Sequence, residues 1–416
     1  NLARLKLMVT PCAEWAQMYK EAWRLQRDHY WVEDMADIDW QKVFDRYEPL
    51  VERVSNRDEF TDIVWEMQGE LGTSHAYSFG GDVKPSPRWS VGGLGADFTW
   101  DKKHKAYVIS NISAGDSWDP DCSSPLTHPG INLVEGDFLF AINKEALSET
   151  LTPYEVLLHK AAEVVELEVA AQKTPKKTRS VLLKTLRNQY PTRYRDWVET
   201  NRAYVTKKTK GKVGYIHIPD MSSWGYAEFH RSFLQEVDKE GLIIDVRFNG
   251  GGNVSQLLLE KLARRRLGYD VTRWNGMSPY PDQAPMGPMV ALTNEYAGSD
   301  GDMFSHNFKL MNLGPLIGKR TWGGVIGIWP RHGLVDGGMT TQPEFSFWFK
   351  DIGWNIENYG VDPDIEVEFK PQDYAKCLDP QLDCGLKELD KLIKKHDEQV
   401  PDLGTKPSLK LPRKLA

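Results

Sequence analysis

At 416 residues the chain exceeds what one compact core sustains, so roughly two to four domains are expected. Hydrophobic residues at 40%, aromatics at 11% and charged residues at 27% describe a globular protein and exclude a disordered or fibrous one. A net charge of −7 argues against nucleic acid as a partner, and no window reaches the ~18 apolar residues of a membrane span. The basic runs Lys173 to Arg179 and Lys207 to Lys212 lie beside turn formers and read as solvated linkers. Asn1 to Lys6 has neither an initiator methionine nor an apolar signal core, so the expectation is a chain that was processed or cut from something longer. Cys12, Cys122, Cys377 and Cys384 have no metal-ligand spacing and read as free thiols in a reducing compartment, which places the chain in the cytoplasm.

Residues 1–80 read as a helical segment that ends in Ser74-His75. Trp15, Met18, Tyr19 and Trp23 recur at helical spacing, as do Val43, Tyr47, Leu50, Val51 and Val54. A third helix starts near the N-capping Ser55 and Asn56 and is ended by Gly72. Residues 88–172 change in texture: Gly92-Gly93-Leu94-Gly95, a strand pattern at Tyr107 to Ile112, another at Gly136 to Asn143, a helix over 153–163 and a strand to Ala170. The order resembles a PDZ domain. That resemblance implies a small β-barrel module that binds extended peptide, with a carboxylate-holding loop at Gly93-Leu94-Gly95.

A polar helical linker is expected from Ser180 to about Asn201. Within 180–370, strands at Val213 to Ile218, Leu242 to Arg247 and Met289 to Thr293 alternate with helices at Tyr226 to Asp238, Ser255 to Arg265 and Ser299 to Met311. Such alternation predicts an α/β core with a largely parallel sheet. Residues 371–416 read as a helix near Leu386 to His396 followed by a Pro- and Lys-containing tail.

Three features could carry chemistry. Ser299, in Asn294 to Asp302, sits between an apolar strand and a helix, where the helix start favours the negative charge of acyl transfer. The same position suits a plain N-cap followed by the favourable first-turn acids Asp300 and Asp302, and both readings stand. Asn249-Gly250-Gly251-Gly252-Asn253 occupies a second strand-to-helix turn; consecutive glycines mark close approach to a ligand or positive φ, while the lysine of a phosphate-binding loop is missing. His75 is the third, although a lone histidine is more often structural. His306 lies two helical turns from Ser299, roughly 10 Å along the axis, too far for a direct hydrogen bond.

Taken together, Gly72 to Tyr77, Asn249 to Gly252, Asn294 to Asp302 and Glu357-Asn358-Tyr359-Gly360-Val361-Asp362-Pro363-Asp364 resemble the tricorn core proteases of the C-terminal-processing peptidase clan. The resemblance implies a helical segment, a PDZ domain and an α/β core related to the crotonase fold. It implies a serine peptidase acting on short peptides or unfolded chains, with Ser299 as nucleophile and His75 as general base oriented by Ser74 and Glu357. Gly252 and Asp300 would supply the oxyanion hole, and Asp270 would shape the pocket before the cut and attract Lys or Arg. No cofactor or metal is implied. A homo-oligomer is, hexameric in the family; the two β-propellers that precede this region in the family are not in this sequence.

Two other functions compete. A catalytically silent, PDZ-containing peptide-binding scaffold would keep the fold without turnover, but has no need of Ser74, His75, Ser299 and Glu357 together. A crotonase-type acyl-CoA enzyme would use the glycine turn for a thioester enolate, and leaves the PDZ-like module unexplained.

Overall fold

The computed structural model describes residues 6, 8–116, 118–119, 122–396 and 402–411. The chain divides into two compact units, one built from Asn1–Val83 with Val205–Ala416 and the other from Lys84–Tyr204.

The core of the first unit is a five-stranded sheet in the order Ile365–Glu366, Leu316–Gly318, Met289–Thr293, Gly241–Asp245, Val213–His217. Every neighbouring pair is parallel. Strands buried on both faces read as continuous apolar runs, and Leu242, Ile243, Ile244, Val290, Ala291 and Leu292 are all fully buried. Spatial order follows chain order, so right-handed crossovers place the connecting helices Ser223–Glu236, Ser255–Leu262 and Asp300–Leu310 on one face. Phe229, Phe233, Leu258, Phe304 and Phe308 pack there with Leu242, Ile244 and Ala291. The alternate residues Ile243, Val290 and Leu292 lie against Gly385 of the C-terminal helix Pro380–Ile393, where a side chain would crowd Leu292. This helix begins six residues before the expected Leu386, with Asp379 capping Leu382 N; the tail beyond it lies partly outside the described residues.

Pro11–His29, Trp40–Val51 and Arg57–Gly69 form the helical layer of the same unit. Asn56 caps the third helix by accepting from Glu59 N at 3.0 Å. Met18, Tyr19, Ala22, Phe60, Val64 and Met67 form a core that also takes in Leu334 from the far end of the sequence. Polar ties reinforce it. Arg57 Nε donates to Asp336 at 2.6 Å with both side chains buried, and Gln26 Nε2 donates to Thr341 O at 2.8 Å. Ser78–Gly80 pairs antiparallel with Gly338–Thr340. His75 is thus carried by a layer fastened at several points to residues 334–341.

In the second unit, antiparallel neighbours run Ala96–Asp101, Ala106–Ile112, Phe138–Ile142, Val164–Ala170, Arg179–Lys184, with Glu145–Ala146 pairing off the middle strand. Its core gathers Leu94, Ile109, Leu126, Leu139, Ile142, Leu157, Leu167 and Val169. Three expectations are corrected here. The helix over 153–163 is only Pro153–Val156. The linker expected from Ser180 begins as a strand, with Val181 and Leu183 inward and Arg179, Ser180, Leu182 and Lys184 outward, a period of two hidden by flanking lysines. The sheet therefore runs past 172, and the helix Tyr190–Thr209 begins in this unit, so the expected core boundary at 180 moves to Val205.

Candidate active site

Ligands of open parallel sheets lie beyond the carboxyl ends of the strands. Gly241–Asp245 and Met289–Thr293 are adjacent, so the turns that follow them, Asn249–Gly252 and Asn294–Ser299, are neighbours. Asn249 ties them together. Its Oδ1 accepts from Gly251 N at 2.9 Å, its Nδ2 donates to Ile218 O at 2.8 Å, and its carbonyl accepts from Gly298 N at 3.0 Å. Asn294 Oδ1 accepts from both Phe248 N at 2.9 Å and Tyr296 N at 3.2 Å, closing the pair from the other side.

Ser299 precedes the helix Asp300–Leu310 with φ 56° and ψ −118°, and its side chain makes no capping hydrogen bond. A simple capping role would use that hydroxyl on the helix amides, and a non-glycine residue held at this φ is strained. The turn needs glycine beside it. A Cβ on Gly251, itself at φ 78°, would stand 2.6 Å from Ser299 Cβ. Gly252 is exposed and bridges Met221 through two bonds, Met221 N to Gly251 O and Asn253 N to Met221 O, neither of which uses the Gly252 amide. The Asp300 amide is at the first position of its helix, among the donors a helix leaves without an internal acceptor. The Asp300 carboxylate turns the other way, accepting from Ser255 N at 2.8 Å and Ser255 Oγ at 2.5 Å, and burial raises its pKa against those bonds.

Ser74, His75 and Glu357 come together from segments more than 280 residues apart. Glu357 accepts three backbone N–H groups, from Ser74 at 2.6 Å, Val325 at 2.6 Å and Ile326 at 2.8 Å. Ser74 Oγ lies 2.8 Å from His75 Nδ1. Asn358 Nδ2 donates to Gly72 O at 2.7 Å, and Thr341 Oγ1 donates to His75 O at 2.5 Å. Together these hold His75 at φ 62°. Burial lowers the His75 pKa from the usual value, opposed by the Glu357 charge and a backbone hydrogen bond at Ile326. Trp322 packs edge-to-face on the imidazole, with ring centres 5.7 Å apart. Its indole also covers Gly298, where a Cβ would stand 2.9 Å from the ring, and Trp322 N donates to Ala297 O at 2.9 Å. No hydrogen bond joins Ser299 to His75 among the described residues; Trp322 touches the backbone on one side and the ring on the other.

Asp270 is exposed on the hairpin Gly268–Thr272 and Gly276–Tyr280, opposite Ser278, and no hydrogen bond or ion pair joins it to this group among the described residues. His306 pairs with Asp351 at 3.2 Å and packs against Phe349 with the rings tilted, which accounts for it without Ser299. Sequence reasoning missed Trp322 and the amides of Val325 and Ile326, which carry no signal in composition. It read Asp302 only as a favourable first-turn acid. Asp302 is instead fully buried, accepts from Gly323 N at 2.8 Å, and has its pKa raised to about 7 by burial. Among the described residues no group of three or more His, Cys, Asp or Glu side chains could hold a metal ion.

In the second unit, two amides of the expected Gly93-Leu94-Gly95 loop, and that of Gly92 before it, make hydrogen bonds. Gly92 N donates to Leu157 O at 2.8 Å, Gly93 N to Leu186 O at 2.9 Å and Gly95 N to Gln189 Oε1 at 3.0 Å. These three glycine amides are committed within the unit, while no backbone hydrogen bond engages Leu94 N among the described residues.

Comparison with known proteins matches three segments of the chain to described families. Residues 11–69 match the tricorn protease C1 domain, residues 92–188 the tricorn protease PDZ domain and residues 212–367 peptidase family S41. A tricorn protease homolog of Saccharolobus solfataricus is 46% identical over 386 residues, covering 93% of this chain and 36% of that protein. The tricorn protease of Thermoplasma acidophilum is 44% identical over 388 residues, again 93% of this chain and 36% of the relative. A crystal structure of the tricorn protease superposes with a TM-score of 0.87 at 42% identity, over 95% of this chain and 38% of that one. The chain thus spans less than half the length of the curated relatives it matches.

Proposed function

The chain belongs to the tricorn protease family, and from that premise we propose that it is a serine peptidase working through an acyl-enzyme on Ser299. The observation that carries the reading is the Glu357–Ser74–His75 arrangement. Glu357 is fixed by three amides, and Ser74 Oγ faces His75 Nδ1. With the Nδ1 proton donated to Ser74, Nε2 is left as the acceptor that a nucleophilic serine needs.

Ser299 Oγ attacks the peptide carbonyl carbon while His75 takes the hydroxyl proton. The tetrahedral oxyanion is received by the Gly252 and Asp300 amides, each worth roughly 3 kcal/mol of barrier. His75 then passes its proton to the leaving amine, and water hydrolyses the ester by the same route in reverse. Glu357 favours the imidazolium formed on the way, in keeping with its upward pull on the His75 pKa. Burial opposes that pull and keeps the base neutral at lower pH.

The substrates are short peptides or unfolded chains in the cytoplasm, with Asp270 selecting Lys or Arg before the cut, and no cofactor is used. Assembly is a homo-oligomer, a hexamer as the resemblance implies. The parallel sheet with strands in chain order supports a crotonase-related core, and the antiparallel order of the second unit supports a PDZ-like barrel. The silent-scaffold reading is disfavoured by the committed glycine amides of the second unit.

Hydrolysis of fluorogenic peptides ending in Lys or Arg tests the proposal. Ser299→Ala should lower kcat by at least ~10⁴-fold. Asp270→Asn should cut the preference for basic over apolar peptides. Turnover that survives Ser299→Ala would overturn the reading.

A further inference from the structure

Asp302 is one turn along the helix from Ser299 and is not needed for the acyl-transfer steps. Its side chain is fully buried, and an aspartate in that state is costly unless paired. Only one oxygen is well satisfied. Oδ1 accepts from Gly323 N at 2.8 Å, while Oδ2 is buried without a full hydrogen bond among the described residues. The Thr321 side chain and the Ser299 amide favour its charge, and Glu357 opposes it.

What Asp302 grips is the segment that organises the base. Gly323 sits at φ 87°, where a Cβ would stand 2.6 Å from Gly360 N, and its carbonyl accepts from Asn358 N at 2.7 Å. On one side of Gly323, Trp322 covers His75 and Gly298. On the other, Val325 and Ile326 supply two of the three amides that hold Glu357. Thr321 closes the base of the loop, accepting from Val361 N at 2.8 Å. A one-ångström slip of this loop would move both the ring face of His75 and the carboxylate that orients it, on the scale at which misplacement erodes catalysis.

We propose that Asp302 is a positioning residue of this site: its carboxylate holds the Thr321–Ile326 loop against the Ser299 turn and so keeps His75 and Glu357 in register. The inference rests on the peptidase reading above. Because burial lifts the carboxyl pKa to about 7, the grip is proton-linked. The ionised form is an acceptor only and suits the donors around it. The charged group facing it from the neighbouring turn is Glu357; on its own helix, Asp300 is engaged with Ser255. Activity therefore gains a step as pH rises through about 7, separate from the His75 limb, which lies lower.

The sign of the stability effect is opposite. A carboxyl whose folded pKa is raised from 3.8 to about 7 stabilises the fold fully below the lower value and loses that contribution as pH rises through the upper one.

The experiment compares the full chain with Asp302→Asn, which keeps an acceptor for Gly323 N and removes the charge. The expected result is kcat about tenfold lower with KM nearly unchanged, loss of the step near pH 7, and a melting temperature that no longer declines across the acid-to-neutral range. A merely structural role would lower the melting temperature at every pH and leave the shape of the rate profile intact. A wild-type rate profile in a folded Asp302→Asn chain overturns the inference. Should that variant not fold, NMR of the Trp322 indole in the unaltered chain decides: a shift with a midpoint near 7 supports the linkage, and an indole silent through that range overturns it. The indole reading needs no turnover, so it stands even where Ser299→Ala shows that hydrolysis does not pass through Ser299.

Discussion

Two glycine-rich turns, Gly92–Gly95 and Asn249–Gly252, look alike in the sequence: each offers a run of small residues where backbone N–H groups could meet an anion. Their glycine amides differ at one position, Gly252. In the second unit Gly92, Gly93 and Gly95 donate to Leu157, Leu186 and Gln189, and a Cβ on Gly93 would strike Gln189 Cγ at 2.3 Å. In the first unit Gly251 is pressed against Ser299 while Gly252 is exposed, its amide outside the bonds that bridge it to Met221. Glycine content reports that a backbone comes close to something. What it comes close to is set by residues far away in sequence, Gln189 for one turn and Ser299 for the other.

The contrast is sharpest under substitution. Gly251→Ala places a methyl at 2.6 Å from Ser299 Cβ, in a φ that disfavours alanine. It should cut kcat/KM by at least ~10²-fold, with KM the lesser part. Glu357→Gln replaces an acceptor of three N–H groups by one that turns an NH₂ toward them. A loss of roughly 10²-fold in kcat is expected, with the His75 limb displaced to lower pH because the upward pull of the carboxylate is gone.

The unaltered chain should show the acid limb of kcat/KM below the 6.5 of an ordinary histidine, since burial favours neutral His75. A limb above that value would contradict the burial argument. Gly93→Ala is the smallest case. Its methyl meets the flexible Gln189 side chain, so peptide turnover should stay within about twofold while the second unit loses some stability, read as an earlier melting transition. If Gly93→Ala impaired turnover as severely as Gly251→Ala, the distinction between the two turns would be lost.

Much of this architecture was legible. The apolar runs at Val213, Leu242 and Met289 became neighbouring parallel strands, and Asn56 capped the helix that leads to His75. The strand Arg179–Lys184 was hidden because only two of its residues face inward and lysines surround them. Ser74 and His75 adjoin in the sequence, but their partnership with Glu357 depends on contacts across more than 280 residues, which no local pattern encodes. Family resemblance supplied Glu357. Physical chemistry then explains it: three converging amides form a socket that suits a carboxylate. Asp302 was invisible for the converse reason, since an acid in a helix's first turn is ordinary until the fold buries it.

Ser299 and His75 are proposed to act as one acyl-transfer pair, although no hydrogen bond joins them among the described residues. Mass-spectrometric mapping of a fluorophosphonate adduct on the full chain, with His75→Ala in parallel, tests it most directly. An adduct on Ser299 that is lost in the His75→Ala chain is expected. Folded protein that takes no adduct at Ser299, or takes it equally without His75, would contradict it.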